Sequence, residues 1–308
     1  MWVPFVVLVL VALALDLGLF RKSRDEVREL TLRSAVTRTI AWIALSLLFG
    51  VAIWAIYGRQ AALTYLAAYL LEKTLSIDNI FVFVLIFSEL QIPPPQQRGV
   101  LLWGVLGALV MRALIIAAGL VLLNTFHWVV YPFAALIIFA AVRLMWGKEK
   151  QREVVAAACS ICTTWVARVI PVTPVFHGNR FWVRRAGKLV ATPLLVALIV
   201  VETTDVVFAL DSVPAVLAIT REPFLVYTSN VFAMLGLRSL YFVLAGIIER
   251  FRYLRVGLAA ILLFFGARLL LSDVIEVPVG VSLAVIASAL ILSVTASVVW
   301  PAKVSRNA

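Results

Sequence analysis

The chain is built from long runs of apolar residues, which short polar or basic segments separate. A helix needs about 20 consecutive apolar residues to cross the hydrocarbon core of a bilayer. We predict one membrane-spanning helix from each of nine runs: 2–20, 36–57, 61–90, 99–123, 126–146, 189–219, 223–248, 254–272 and 278–300. The pattern therefore predicts an all-α polytopic membrane protein.

The loops between these spans alternate in basic charge. Lys and Arg cluster after spans 1, 3, 5, 7 and 9, whereas the opposite loops contain only Arg59 and Arg221. Loops rich in Lys and Arg stay in the cytoplasm, so we expect the N-terminus outside and the C-terminus in the cytoplasm. No Arg- and Ser-rich transit segment precedes the first span. We therefore expect the chain in the inner (plasma) membrane of a bacterium.

Composition agrees with this class. The 308 residues are 64% hydrophobic and 14% charged, whereas a soluble protein carries about 25% charged residues. The topogenic loops account for the net charge of +11, so we expect membrane lipids and no nucleic acid as partners.

Polar residues inside the apolar runs repeat in the two halves of the chain. Glu72 and Asp78 correspond to Asp205 and Asp211, Arg112 to Arg238, and Arg143 to Arg268. Because span 3 runs inward and span 6 outward, spans 3–5 and 6–8 are predicted to form an inverted-topology repeat. The predicted organisation is an N-terminal two-helix segment (1–60), a first repeat (61–147), a basic cytoplasmic loop (148–188), a second repeat (189–273), and a C-terminal helix with a basic tail (274–308).

Each repeat begins with two acids six residues apart. A charge at the bilayer centre costs at least about 2.5–3.5 kcal/mol, so these acids point to a functional site. On an unbroken helix, six residues correspond to about 9 Å and 240°, which would turn the two acids to different sides. We therefore expect both acidic helices to be discontinuous, with breaks favoured by Thr74, Ser76 and Pro214.

The acidic stretches offer a set of oxygen ligands. The candidate metal ligands are Glu72, Asp78, Asn79, Asp205, Asp211 and Ser212. Oxygen ligands suit Mn²⁺, Ca²⁺ and Mg²⁺, and ligand type does not separate these ions. So much negative charge needs a cation, protons or both, which favours exchange of a metal ion for protons. We expect a transported ion and no resident cofactor.

Three alternatives stay open at this stage. The acids are neutralised instead as buried ion pairs if Arg112, Arg143, Arg238 and Arg268 reach them. Glu202 and Lys73 adjoin the motifs and either belong to the site or lie outside it. Cys159 and Cys162 form a Cys-x-x-Cys pair that suits redox chemistry or half a zinc site with His177, although we expect plain loop cysteines.

Four segments carry a resemblance to a known family: 72–83, 103–112, 209–215 and 227–240. In these segments the sequence resembles the TerC/Alx integral membrane proteins of the LysE-type transporter superfamily. The resemblance implies manganese export and a link to tellurium resistance, with Glu72, Asp78, Asp205 and Asp211 at the acidic motif positions. The direction of transport is implied by the resemblance alone.

The expected function is secondary transport of a divalent metal ion, with Mn²⁺ exported in exchange for protons. The alternative is a membrane assembly or metallation factor that transports nothing, or a tellurite-resistance component. We do not expect an enzyme, because the sequence lacks the Gly-x-Gly-Asp context of intramembrane aspartyl proteases. Oligomeric state and a partner in the secretion machinery stay open.

Overall fold

The computed structural model describes residues 2–16, 32–145, 148–185, 187–245, 253–272, 274–275 and 277–300. The helices are α1 (Trp2–Asp16), α2 (Leu32–Glu89), α3 (Pro94–Thr125), α4 (Val130–Leu144), α5 (Lys148–Val169), α6 (Pro193–Leu217), α7 (Pro223–Met234), α8 (Leu237–Leu244), α9 (Leu254–Leu270) and α10 (Val279–Val299). Strands β1 (Trp182–Arg185) and β2 (Lys188–Ala191) pair antiparallel. The basic residues predicted at 21–28 and in the tail lie outside the described residues.

Five helical segments within this part of the chain are long and apolar enough to cross a bilayer: Leu32–Glu89, Pro94–Thr125, His127–Leu144, Pro193–Leu217 and Val279–Val299. The other predicted spans overlap the shorter helices α1, α7 with α8, and α9. The structure is thus mostly helical, as predicted for a membrane protein of the all-α class.

Helix α2 contains two of the predicted spans. Gly58 interrupts it with φ 85° and ψ 176°, a conformation that glycine adopts readily because it lacks a Cβ atom. The segments 32–57 and 59–89 on either side are helical. Helix α2 contacts α5, α6, α7, α8, α9 and α10, so the acidic motif lies in a helix with neighbours on several sides.

The prediction that the acidic helices are discontinuous is wrong. Helix α2 runs unbroken from residue 59 through the acidic motif, and α6 runs through its own motif with Pro214 inside the helix. The hydroxyl groups of Thr74 and Ser76 donate to the carbonyls of Leu70 and Glu72 one turn earlier, so they are satisfied within the helix. Burial by neighbouring helices, rather than a break, keeps both acids of α2 away from lipid.

A break does occur within the predicted span 223–248. Helix α7 ends at Met234, Leu235 is extended with ψ 132°, and Gly236 is left-handed with φ 80°. Helix α8 begins at the next residue. The discontinuous helix is therefore one that carries no acidic motif.

The predicted loop 148–188 contains regular structure. Helix α5 packs against α2 and α6, and the β1–β2 hairpin follows it. Cys159 and Cys162 lie on α5, so the expectation that they are loop cysteines is wrong. The helix has alternating polar and apolar stretches, and that weaker pattern concealed it in the sequence.

Candidate functional site

Arg112 lies at the centre of a buried cluster between α2, α3 and α6. Its guanidinium Nη1 donates to Glu72 Oε2 at 2.7 Å, and its Nε donates to Asp205 Oδ2 at 3.2 Å. Each of these three residues is only 1% exposed. One acid from each repeat therefore shares a single counter-charge, and the cluster retains one carboxylate more than it has guanidinium groups.

Two further side chains join the cluster, one bonded to Glu72 and the other to Arg112. The Asn230 amide on α7 donates to Glu72 Oε1 at 2.8 Å. Arg112 Nη1 also donates to Ser212 Oγ at 3.3 Å. Both carboxylate oxygens of Glu72 are thus satisfied, as a buried charge requires.

Asn79 lies between Arg112 and Asp205. In the amide orientation that satisfies both of its ends, its oxygen accepts from Arg112 Nη2 at 3.2 Å and its nitrogen donates to the Leu75 carbonyl at 3.3 Å. Asn79, the polar residue that ends the first motif, therefore lies beside Asp205, the first acid of the second motif. Ser212, the polar residue that ends the second motif, likewise reaches the cluster of Glu72 through Arg112.

The second acids of the two motifs, Asp78 and Asp211, face one shared cavity. Asp78 and Asp211 both line it, together with Leu75, Asn79, Ala140, Arg143, Leu144, Phe208, Ser212 and Leu262. Arg143 Nη2 on α4 donates to Asp211 Oδ2 at 2.8 Å, and the side chains are 31% and 16% exposed. This ion pair is more accessible than the Arg112 cluster and is held by fewer contacts.

Asp78 has no direct ion pair in the described part of the chain, although it is only 8% exposed. The Gln151 side chain on α5 lies near it, and Arg143 and Arg255 also lie near it without a direct ion pair. The Arg255 guanidinium lies 3.9 Å from the ring centre of Phe81. Beyond Asp78, a second cavity between α5 and α6 continues past Lys150, Gln151, Thr203 and Thr204.

The structure brings all six predicted site residues together, but in a different pairing. The sequence grouped Glu72 with Asp78 and Asp205 with Asp211, whereas the structure groups Glu72 with Asp205 and Asp78 with Asp211. The reason is helical geometry, because a separation of six residues on a continuous helix turns the two acids to different sides.

The open alternative of buried ion pairs applies to Arg112 and Arg143. Both bind the motif acids. Arg268 instead donates to Ser282 on α10 at 2.8 Å. Within the described residues, no group of three or more His, Cys, Asp and Glu side chains is arranged to hold a metal ion.

Glu202 and Lys73 lie at the edge of these clusters. Glu202 packs against Gly107 of α3, where any Cβ atom would overlap the carboxylate. The Lys73 ammonium donates to the Ala233 carbonyl at 3.2 Å and has no ion pair in the described part of the chain. Neither side chain contacts the cavity of Asp78 and Asp211.

Sequence reasoning missed Gln151 and Arg255. Gln151 lies in the segment interpreted as a basic loop, and Arg255 lies at the start of the predicted span 254–272. No local pattern distinguishes either from the polar residues nearby. Asn230 lies in the resemblance segment 227–240, but its partner on α2 could not be identified without the fold.

The pKa values of both cysteine thiols are shifted by burial. Burial raises the pKa of the Cys159 thiol to about 11, and the nearby Glu89 carboxylate and Cys162 act in the same direction. Burial also raises the pKa of the Cys162 thiol. Both side chains are therefore neutral thiols at neutral pH, and thiols are poor nucleophiles and metal ligands.

Comparisons with known proteins cover nearly the whole chain. The profile of the "Integral membrane protein TerC family" matches residues 57–306. The chain is 44% identical over 299 residues to the uncharacterized membrane protein STKORF319 of Myxococcus xanthus, covering 97% of this chain and 92% of that protein. It is 41% identical over 294 residues to the "Putative membrane-bound redox modulator Alx" of Salmonella typhi, covering 93% and 90% of the two chains. An uncharacterized membrane protein of Rickettsia bellii is 37% identical over 306 residues, covering 99% of each chain. No solved structure matches the chain significantly.

Proposed function

Because this chain belongs to the TerC family of integral membrane proteins, we propose that it is a secondary transporter that exports divalent metal ions. Mn²⁺ is the proposed substrate, and the proposed site is the cavity of Asp78 and Asp211. Transport by proton antiport agrees with the need to neutralise Asp78, which has no direct ion pair in the described part of the chain, whenever the metal ion leaves.

The observation that carries this proposal is that Asp78 on α2 and Asp211 on α6 line one cavity. Asn79 and Ser212 add an amide and a hydroxyl group to the same cavity. A hard divalent cation favours such a set of oxygen ligands. The site lies between two predicted repeats, the arrangement in which secondary transporters bind their ions.

The two arginines have different proposed roles. Arg143 is the resident counter-ion of Asp211, and the incoming metal ion displaces it. Arg112 stays in place and holds α2, α3 and α6 around the cavity, because its bonds to Glu72 and Asp205 are fully buried. Exchange of a guanidinium group for a metal ion keeps the cavity near neutrality throughout, which lowers the cost of moving charge within a membrane.

We also propose the finer architecture of nine spans with an inverted repeat. Helix α3 of the proposed first repeat packs against α6 of the second, and α7 and α8 of the second repeat pack against α2 of the first. Helices α4 and α9, the last helices of the two proposed repeats, pack against each other. An inverted repeat with its axis between α2 and α6 accounts for this exchange of partners. The break at Gly236 departs from the symmetry, because α3 is continuous.

Flux of Mn²⁺ into proteoliposomes that contain the purified chain tests this function. We expect saturable flux, with Ca²⁺ and Mg²⁺ as competitors, that an opposing proton gradient accelerates. Asp78→Asn and Asp211→Asn should abolish it, whereas Glu153→Gln on the exposed side of α5 should not. Flux that survives both Asn substitutions would contradict the proposed site. A folded wild-type chain with no flux for any divalent ion would contradict transport.

One observation favours a second candidate, an assembly or metallation factor that transports nothing. Arg112 already satisfies Glu72 and Asp205, so these two acids have a purely structural explanation. The same flux experiment separates the candidates, because such a factor would show no flux. A redox role, as the name of the Alx relatives suggests, finds little support in Cys159 and Cys162, whose raised pKa values keep them as thiols.

A further inference from the structure

Lys73 is a charged residue to which the proposed transport cycle gives no role. It follows Glu72 on α2, is half-buried, and extends to the C-terminal end of α7, where its Nζ donates to the Ala233 carbonyl at 3.2 Å. An ammonium group within a membrane protein normally finds an acidic partner or lies near water. In the described part of the chain, Lys73 binds only a backbone oxygen.

The break between α7 and α8 makes this oxygen available. In a continuous helix the Ala233 carbonyl would accept the N–H of residue 237. Here Leu235 is extended and Gly236 is left-handed, so α8 starts in a new direction. The last carbonyls of a helix carry the negative end of its dipole. In transporters, the C-terminal ends of interrupted helices bind small cations in this way.

We propose that the C-terminal end of α7 is a binding site for a small monovalent cation such as Na⁺, and that Lys73 fills it with a tethered ammonium group. The site is distinct from the cavity of Asp78 and Asp211. It is coupled to the Arg112 cluster, because Glu72, next to Lys73, accepts a hydrogen bond from Asn230 on the same α7.

The consequence for transport rests on the proposed function. A tethered ammonium group takes the position that a coupling Na⁺ ion would otherwise occupy. Metal export by the wild-type chain should therefore need no Na⁺. The binding site itself can be tested without any transport measurement.

Thermal unfolding of the full-length purified chain in detergent provides that test. Lys73→Ala removes the ammonium group and leaves the carbonyl open to a free cation. Unfolding is followed in NaCl and in N-methyl-D-glucamine chloride of equal ionic strength. A ligand that binds only the folded state raises the midpoint with its concentration, so we expect the Lys73→Ala midpoint to rise by about 2–4 °C in saturating Na⁺.

Three controls define the outcome. The wild-type chain and Lys188→Ala, a substitution on the exposed hairpin, should show no such rise. Lys73→Met fills the same space without charge and should also show none. The proposal is overturned if Lys73→Ala responds no more to Na⁺ than the wild type does.

Lys73→Ser repeats the test if the alanine variant does not fold. Folding of either variant in Na⁺ but not in N-methyl-D-glucamine supports the site. Failure of both variants to fold even in Na⁺ overturns it, because a free cation should replace the missing ammonium group. A wild-type chain without Mn²⁺ flux would contradict the proposed function and leave this binding result unchanged.

Discussion

Arg112 is the residue on which the central packing depends. Its removal leaves the buried carboxylates of Glu72 and Asp205 without a counter-charge. We expect Arg112→Gln to lower the free energy of unfolding by about 3–5 kcal/mol, the usual effect of breaking a buried ion pair. Unfolding in detergent, followed by circular dichroism, measures this loss.

Two variants control the Arg112 experiment. Arg112→Gln combined with Asp205→Asn should be less destabilised than Arg112→Gln alone, because one of the uncompensated charges is removed. Arg221→Gln, at an exposed position, should change stability by no more than about 0.5 kcal/mol. Equal effects of Arg112→Gln and Arg221→Gln would show that the buried cluster contributes little.

The two cysteines should react slowly at neutral pH. Alkylation requires the thiolate, and a raised pKa reduces the thiolate fraction at any pH below it. The labelling rate of Cys159 by iodoacetamide should therefore increase with pH up to about 11. Mass spectrometry should find Cys162 labelled first, because Cys159 is only 2% exposed. Rapid labelling at pH 7, or a disulfide between the two, would contradict this prediction.

At the scale of elements, the α7–α8 break depends on Gly236. Its φ of 80° disfavours any other residue, and an added Cβ atom would lie 2.7 Å from Trp42 Cδ1. Gly58 has a similar φ of 85° but no atom within 4 Å of an added Cβ. Gly58→Ala should therefore cost only its backbone conformation (φ 85°, ψ 176°), which is open essentially to glycine alone, about 1–3 kcal/mol. Gly236→Ala should cost more, because the overlap with Trp42 adds to the strain of its positive φ. Unfolding midpoints of the two variants test this difference.

Trp42 provides the control for the Gly236 experiment. If the contact with Trp42 is the cause, Trp42→Ala should recover part of the loss in the double variant. Equal losses in Gly58→Ala and Gly236→Ala would show instead that backbone strain alone decides both.

The apolar pattern predicted the positions of the helices well, because burial in lipid or in the protein demands long apolar runs. The polar residues within the apolar runs gave six candidate metal ligands, which the structure places in two neighbouring clusters. Their role as metal ligands stays a prediction. The pattern did not predict which acids would meet, since that depends on the side of each helix that faces its neighbours. The expected breaks at Thr74 and Ser76 were wrong because hydroxyl groups bind to their own helix. Gly236 could not be distinguished from the other glycines as the position of a break, because the sequence does not give its φ angle.

At the scale of the whole molecule, two counter-charges connect the predicted repeats. Arg112 on α3 and Arg143 on α4 both bind acids of α6, and Arg112 also binds α2. The predicted first repeat thus supplies both arginines of the described clusters. This asymmetry agrees with the proposed transport cycle, in which one half provides a fixed frame and the other carries Asp211, the acid that exchanges Arg143 for a metal ion.

The basic loops predict the orientation of the molecule in the membrane, and this prediction can be tested directly. Lys188 on the hairpin and Arg221 in the turn after α6 are both exposed and lie on opposite predicted sides. In a chain with Cys159 and Cys162 replaced by Ser, we expect a membrane-impermeant maleimide to label Arg221→Cys in intact cells. Lys188→Cys should be labelled only after the membrane is permeabilised.

The opposite labelling pattern would invert the topology and, with it, the direction of access to the candidate site. The cavity beyond Asp78 continues towards Lys150 and Gln151 on α5, on the same side as the hairpin in our orientation. With that side in the cytoplasm, a metal ion would reach Asp78 from within the cell, as export requires. With that side outside, the same cavity would admit ions from the exterior, and the proposal of export would have to be replaced by uptake.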